Sequence, residues 1–307
     1  MKFIKVFLSS LVLICSGLAT THANEFVFTA PPREKPAEGQ AMYGPIADFL
    51  STKTGHTFIY KHPDNWLSYM KEMRTGEYDL AFDGPHFVSW RVAALQHTPL
   101  VRLPGKLVFV VISRKDNAKV TKLQDLAGKS ICGHAPPNLA TLTMQDQFQN
   151  PSRQPRVEVV RGFKNVYNAM VAGKCDAAVI PAKVYNKLNK KDEDKQTQVL
   201  FRSTGLPHQA ISASPKIPDD VQQEMRTALL GPEGVAATES LRKRFAGGKE
   251  MIPTDKAEYE GYGFLLSDFW GFELDEEEPK ELSDSGNETG NNKAAGSTAA
   301  GNAADSE

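Results

Sequence analysis

Cysteine and long apolar segments are both scarce in this chain. Only 3 of the 307 residues are cysteine, so few covalent cross-links are available to the fold. The apolar run near the N-terminus, FLSSLVLICSGLA, is too short for a comfortable transmembrane helix, which needs about 20 apolar residues. The shortness of this run favours an exported soluble protein over a membrane-anchored one.

The common catalytic motifs are missing as well. The chain has no GxSxG elbow, no P-loop and no GxGxxG after a predicted strand. A nucleophilic Cys132 would need a histidine partner, and His134 beside it is the only hint of one. A cysteine in a strand is more often a small core residue. We therefore predict no enzymatic activity and no cofactor.

The N-terminus has the pattern of a secretory signal peptide. Lys2 and Lys5 precede the apolar run, and Thr21-His22-Ala23 supplies small residues for cleavage after Ala23. Ile14 precedes Cys15 where a lipoprotein would need a small residue. Residues 1–23 are thus predicted to be removed on export, without a lipid anchor.

The C-terminal residues 273–307 have a different composition from the rest of the chain. They contain one leucine after Leu274, no aromatic residue and no β-branched aliphatic residue, with ten acidic residues against two lysines. Such a segment buries too little apolar surface to offset its chain entropy. It is predicted to be disordered and dispensable for ligand binding.

The body between these termini is mildly basic. The whole chain has a net charge of −1, the signal peptide contributes +2 and the tail −8, which leaves +5 for residues 24–272. A basic body permits an anionic ligand. Nothing in the sequence points to nucleic acid.

The body alternates strand and helix signals in two rounds, which predicts an α/β fold with mostly parallel sheets in two lobes. The segment KLVFVVIS leaves the first lobe and QAISAS returns to it. The predicted first lobe is discontinuous, 24–112 and 208–272, and the second is 113–207. A ligand cleft is expected between them.

Cys132 and Cys175 both fall at strand-like stretches of the second lobe. If the two strands are parallel neighbours, the cysteines lie about four residues, or roughly 13 Å, apart along the strand direction. A disulfide cannot bridge that distance. The two thiols are therefore expected to be unpaired.

Four blocks carry a resemblance to a known family: MYGPIADFLSTKTG, GEYDLAFDGPHF, VVISRKDNAKVTKLQDLAGKSIC and VYNAMVAGKCDAAVIPAKVYNKL. They are similar to the phosphate, phosphite and phosphonate-binding proteins of ABC importers, from about Phe26 to Trp270. The resemblance implies a type II periplasmic-binding-protein fold, with two α/β lobes joined by two crossover strands. It also implies periplasmic location, a small polar solute, permease subunits at the inner membrane as partners, and a monomer.

The resemblance further implies a set of ligand-binding residues. Tyr43 matches the aromatic residue at the start of the first helix, and Gly84-Pro85 matches a turn that borders the cleft. Asn138 and Thr141 belong to the helix start that holds the anion in this family. Lys164 stands where the family usually has a histidine.

The turn DGPHF itself remains open to several interpretations. Asp83 either caps the following helix or meets a cationic group of a zwitterionic ligand, and His86 is expected to face the cleft. Alternatively, a transition-metal site would form near the cleft from one carboxylate and three imidazoles, those of Asp83, His86, His134 and His208. Their spacing in the sequence matches no local metal-binding motif. A ligand-sensing protein on the same fold is a further alternative.

Overall fold

The architecture follows from thirteen strands and nine α-helices within the part of the chain that is described. This part comprises residues 23–190, residues 196–274 and Leu282 of a computed structural model. The strands are β1 (Glu25–Thr29), β2 (Thr57–Tyr60), β3 (Leu80–Asp83), β4 (Thr98–Arg102), β5 (Lys106–Leu107), β6 (Phe109–Arg114), β7 (Ser130–Gly133), β8 (Arg156–Val159), β9 (Ala177–Pro181), β10 (Thr197–Arg202), β11 (Leu206–Pro207), β12 (Ala210–Ala213) and β13 (Ile252–Pro253).

The helices alternate with these strands over most of the chain. They are α1 (Pro36–Thr54), α2 (Trp66–Arg74), α3 (Pro85–Leu95), α4 (Leu139–Gln145), α5 (Phe163–Val171), α6 (Ala182–Asn189), α7 (Asp219–Leu230), α8 (Pro232–Ala237) and α9 (Glu239–Ala246). Short 3₁₀ helices occur at Leu123–Leu126, Pro151–Arg153 and Gly263–Leu266. None of the helices in the described ranges is both long and apolar enough to cross a membrane.

The first lobe is built on a six-stranded sheet in the order β13-β4-β12-β3-β1-β2. The strand of the DGPHF turn, β3, lies inside this sheet. It runs parallel to β1, with Phe28 opposite Leu80, and antiparallel to β12, with Phe82 opposite Ile211. Both faces of such a strand are covered, which explains its unbroken apolar sequence.

The second lobe is built on a five-stranded sheet in the order β10-β6-β9-β7-β8. Strands β7, β8 and β9 pair in parallel, whereas β6 pairs antiparallel with both β9 and β10. The expectation of mostly parallel sheets is therefore wrong. In each lobe, the strand next to a crossing is antiparallel to the neighbouring strands of the sheet: β12 in the first lobe and β6 in the second.

Two short strands carry the chain between the lobes. β5 leaves the first lobe and β11 returns, and they pair antiparallel with Leu107 opposite Leu206. The predicted boundary at 112/113 falls inside β6, which belongs entirely to the second sheet, so the outgoing crossing lies earlier. The returning strand β12 takes its place in the first sheet, as predicted for QAISAS.

One apolar core lies within the first lobe, and a second spans the two lobes. The first contains Phe28, Ile46 and Leu100 among its buried members. The second joins Phe87 of α3 to Val111 of β6 within one cluster of buried residues. The lobes are thus held together by apolar packing as well as by the chain crossings.

Cys132 and Cys175 form a disulfide, with Cα atoms 5.7 Å apart, so the prediction of two unpaired thiols is wrong. The strands β7 and β9 are indeed parallel neighbours, with Cys132 opposite Ala178. Cys175, however, precedes β9 and lies in the turn after α5. Because the chain is not extended there, strand rise overestimates the separation of the two residues.

The C-terminal segment makes contacts that its composition did not predict. Leu282 is 1 % exposed and belongs to the core cluster that spans the lobes, against which Leu274 also packs. The prediction of a wholly disordered segment 273–307 is contradicted at these two positions. Its other residues beyond Leu274, like residues 1–22 of the predicted signal peptide, lie outside the described part of the chain.

Candidate functional site

The DGPHF turn connects β3 to α3 at the boundary between the lobes. Gly84 is the N-cap of α3 in extended conformation, and Pro85 occupies the first helical position, where its missing N–H costs nothing. All residues from Asp83 to His86 are buried. The turn therefore fixes the start of α3 and the direction of His86.

Asp83 forms a buried ion pair rather than a ligand contact. Arg91 Nε lies 2.8 Å from Asp83 Oδ2, both side chains are fully buried, and the Tyr69 hydroxyl donates to Asp83 Oδ1. Both carboxylate oxygens therefore already have a partner within the protein, and the positive charge of Arg91 already pairs with the carboxylate. It does not cap α3 either, because that helix has no side-chain cap. Both expectations for Asp83 are wrong.

His86 reaches the second lobe, as expected for a residue facing the cleft. Its Nε2 atom lies 3.1 Å from the backbone carbonyl of Pro137. Burial lowers the pKa of His86 to about 3, opposed by the Pro137 carbonyl and assisted by the positive charge of Arg33. The ring is therefore neutral at physiological pH.

The loop between β7 and α4 supplies the second-lobe side of this boundary. Asn138 caps α4 by accepting the Ala140 N–H at 3.1 Å, and the Thr141 hydroxyl donates to the His134 carbonyl at 2.6 Å. Thr141 is fully buried. Both predicted ligand contacts thus have local structural partners, while Lys164 is exposed near the start of α5.

Tyr43 does not stand at a helix start. Helix α1 begins at Pro36, seven positions earlier than the start that the sequence suggested, so Tyr43 lies in its middle. It is fully buried against Phe28, Tyr60 and Phe82. The ring is therefore enclosed in the first-lobe core, and only its hydroxyl reaches Glu34 in the loop after β1. Its contact with a ligand stays a prediction.

Arg33 is the residue that sequence reasoning missed. It lies in the loop 30–35 between β1 and α1, at the same edge of the sheet as the β3–α3 turn. Its Nη1 atom is buried and has no hydrogen-bond partner among the described residues. The rule that ligands meet the carboxyl ends of parallel strands predicts a functional role at this position too.

The carboxylate of the neighbouring Glu34 has two contacts of its own. Glu34 Oε1 lies 3.7 Å from Arg244 Nε, and Glu34 Oε2 accepts the Tyr43 hydroxyl at 3.5 Å. Arg244 is thus one cationic neighbour of Glu34. The guanidinium of Arg33 lies beside the Tyr43 hydroxyl and faces the Phe245 ring, with its central carbon 5.7 Å from the ring centre. Nη1 is the atom of this group that has no partner among the described residues.

The alternative metal site is contradicted by the positions of its residues. His134 Nε2 accepts the Gly162 N–H at 3.1 Å, and His208 Nδ1 accepts the Gln209 N–H at 2.9 Å. Asp83 is paired with Arg91. Across residues 23–190, 196–274 and 282, no three metal-ligating side chains converge.

Two α/β lobes joined by paired crossings, with sheet edges that meet at their boundary, define a type II periplasmic binding protein. The family described as "ABC transporter, phosphonate, periplasmic substrate-binding protein" matches residues 28–259. The chain belongs to this family, which confirms the resemblance found in its sequence.

Individual relatives are distant. The "Phosphate-import protein PhnD" of Mycolicibacterium smegmatis is 29 % identical over 111 residues, which is 34 % of this chain and 34 % of that protein. The match thus spans about a third of the relative's length.

Solved structures support the fold. XAC2383 from Xanthomonas citri bound to ATP has a TM-score of 0.61 at 12 % identity, covering 81 % of this chain and 96 % of that one. PhnD1 from Prochlorococcus marinus in complex with methylphosphonate has a TM-score of 0.54 at 11 % identity, covering 80 % and 97 %.

Proposed function

We propose that this protein binds a small solute with a phosphonate-like or phosphate-like oxyanion group between its lobes, and delivers it to the membrane subunits of an ABC importer. The observation that carries this proposal is the buried, unpartnered Nη1 atom of Arg33 at the carboxyl end of β1. A buried guanidinium donor without a partner costs free energy. An oxyanion that accepts its hydrogen bond removes that cost.

The position of His86 supports the same location. It links the first lobe to Pro137 of the second lobe, so a solute beside it touches both lobes. Arg33 follows β1, the parallel neighbour of β3, so both residues stand beyond the same edge of the first sheet. The proposed site therefore consists of Arg33 and His86 from the first lobe and of the loop before α4 from the second.

The charge distribution also favours an anion. Residues 108–207, which include the second sheet, contain 16 Lys and Arg against 8 Asp and Glu. A positive excess beside a cleft raises the local concentration of anions and their association rate.

Membership of the family supports delivery to an importer in the periplasm. The named relatives point to the ligand class, since one is a phosphate-import protein and one was solved with methylphosphonate. Uptake of these compounds should fall when the gene for this chain is deleted from its host.

Calorimetric titration with inorganic phosphate and with methylphosphonate tests the binding step. Arg33→Gln should weaken binding by about 1.5–3 kcal/mol, the range for a hydrogen bond to a charged group. Arg156→Gln is the matched control, because the Arg156 side chain is 75 % exposed in the second lobe. Equal affinity of wild type and Arg33→Gln for a bound anion would reject the site.

A further inference from the structure

The two ring nitrogens of His86 have different roles. Nε2 lies 3.1 Å from the Pro137 carbonyl, and a carbonyl can only accept a hydrogen bond. Nε2 must therefore carry the ring proton. Nδ1 is buried and has no partner among the described residues.

The surroundings of His86 keep this tautomer neutral. Arg33, from the loop after β1, is the charged group whose field acts on the ring, and the Phe87 ring packs 4.2 Å away. The second lobe contributes the Pro137 carbonyl, which holds the proton on Nε2. Nδ1 of a neutral ring protonated on Nε2 is an acceptor and cannot donate.

The turn keeps side-chain atoms of position 84 away from the same nitrogen. Gly84 has no side chain, and a Cβ atom there would lie 3.2 Å from His86 Nδ1 and 3.0 Å from its Cε1. These distances are shorter than comfortable contacts. Glycine at position 84 therefore keeps the Nδ1 side of the ring uncrowded.

Arg33 and His86 thus offer complementary hydrogen-bonding groups. Arg33 Nη1 is a charged donor, and His86 Nδ1 is a neutral acceptor. An oxyanion without a hydrogen satisfies the arginine and leaves the buried acceptor unpaired. An oxyanion that retains a hydroxyl group satisfies both.

We propose that the site selects an oxyanion that still carries a proton, with its hydroxyl group donating to His86 Nδ1 and a charged oxygen accepting from Arg33. The proposal rests on the function proposed above and narrows its ligand class. Singly protonated phosphonates and phosphates fit. Sulfonates, which have no proton at neutral pH, do not.

The test compares methylphosphonate with methanesulfonate, which has nearly the same shape. Calorimetric titration of the full-length mature protein should show methanesulfonate binding at least about tenfold more weakly, because it leaves Nδ1 unpaired. Above the second pKa of methylphosphonate, its dissociation constant should rise about tenfold for each pH unit, as the binding form is depleted. The methanesulfonate profile should stay flat over the same range.

Two variants of His86 separate the roles of its nitrogens. The amide of asparagine reaches the position of Nδ1, and the amide of glutamine reaches the position of Nε2. His86→Gln should therefore lose the preference for methylphosphonate and its pH dependence. His86→Asn should retain both, although it loses the contact to Pro137. Thermal melting establishes that each variant is folded.

The outcomes distinguish this inference from the function on which it rests. Binding of both anions with equal affinity, reduced in Arg33→Gln, would keep the proposed function and overturn the selection of a protonated ligand. A flat pH profile for methylphosphonate would also overturn it. Failure of the wild type to bind phosphate, methylphosphonate or methanesulfonate would overturn both proposals.

Discussion

The N–H group of Thr204 donates a hydrogen bond of 3.0 Å to the backbone carbonyl of Leu282. Thr204 lies on the returning crossing between β10 and β11, and Leu282 is the tenth residue of the acidic segment 273–307. Upstream, Phe272 is fixed to the first lobe, because Trp90 Nε1 donates to its carbonyl at 3.1 Å. The C-terminal segment therefore connects the first lobe to the crossing.

This connection predicts that Leu282 contributes to stability. Leu282→Ala should lower the free energy of unfolding by about 2 kcal/mol, the low end for a buried leucine, since a short segment detaches without leaving a closed cavity. Leu67→Ala is the control, because Leu67 is 72 % exposed. Urea titration followed by circular dichroism measures both.

Hydrogen exchange provides an independent check of the same contact. The amide of Thr204 should exchange faster in a chain truncated after Leu274 than in the full chain, because its acceptor is removed. Unchanged exchange and unchanged stability on truncation would show that the segment is dispensable, as its composition alone suggested.

The buried pair of Asp83 and Arg91 predicts a stability effect instead of a binding effect. Asp83→Asn leaves the Arg91 guanidinium without its counter-charge in a fully buried position, which should cost about 3–5 kcal/mol. Asp48→Asn on the exposed face of α1 is the control. A melting curve of Asp83→Asn that matches wild type would contradict this role.

The sequence predicted the fold well because strand and helix periodicity depends on local residues. The order of βα units, the two crossings and the return of QAISAS to the first sheet all agree with the structure. The start of α1 was missed because Tyr43-Gly44-Pro45 was interpreted as the opening of the helix, whereas Pro45 lies inside it. Gly39 has a packing reason, since a Cβ atom there would lie 2.6 Å from His62 Nδ1.

The candidate site was harder to predict, because it depends on pairings between distant residues. His86 could be predicted from its place after a buried strand, and Arg33 stands in an equivalent place after β1. The partner of Asp83 could not be predicted, because nothing in the sequence indicates that the Arg91 side chain points toward the N-terminus of α3, where Asp83 lies. The disulfide was missed because the path of the turn before β9 cannot be read from composition.

The disulfide should stabilise the second lobe. It closes a segment of the chain with a sequence separation of 43, so its removal frees a long loop in the unfolded state. Changing Cys132 and Cys175 together to alanine should lower the free energy of unfolding by about 2–5 kcal/mol. Reductant should destabilise the wild type by a similar amount and leave the double variant unchanged. Equal stability of the wild type and the double variant without reductant would contradict the prediction.

Buried neutral histidines predict how stability changes with pH. Burial lowers the pKa of His86 to about 3 and that of His208 to about 4, from an ordinary value of 6.5. Below pH 6.5 the unfolded chain binds protons at these positions that the folded chain does not, so acid favours unfolding. The contribution of the neutral histidines to the free energy of unfolding should be fully present above that pH. It should fall as the pH drops toward 4, by up to about 1.4 kcal/mol per pH unit for each histidine.

Chemical unfolding of wild type and of His208→Gln over this pH range measures the effect. Glutamine does not titrate, so the variant should lose less stability between neutral pH and pH 4 than the wild type does. His56→Gln, at a partly exposed histidine, controls for the removal of an imidazole as such. Parallel pH profiles for wild type and His208→Gln would mean that His208 is protonated equally in the folded and unfolded states, because only a pKa difference between these states couples a group to stability.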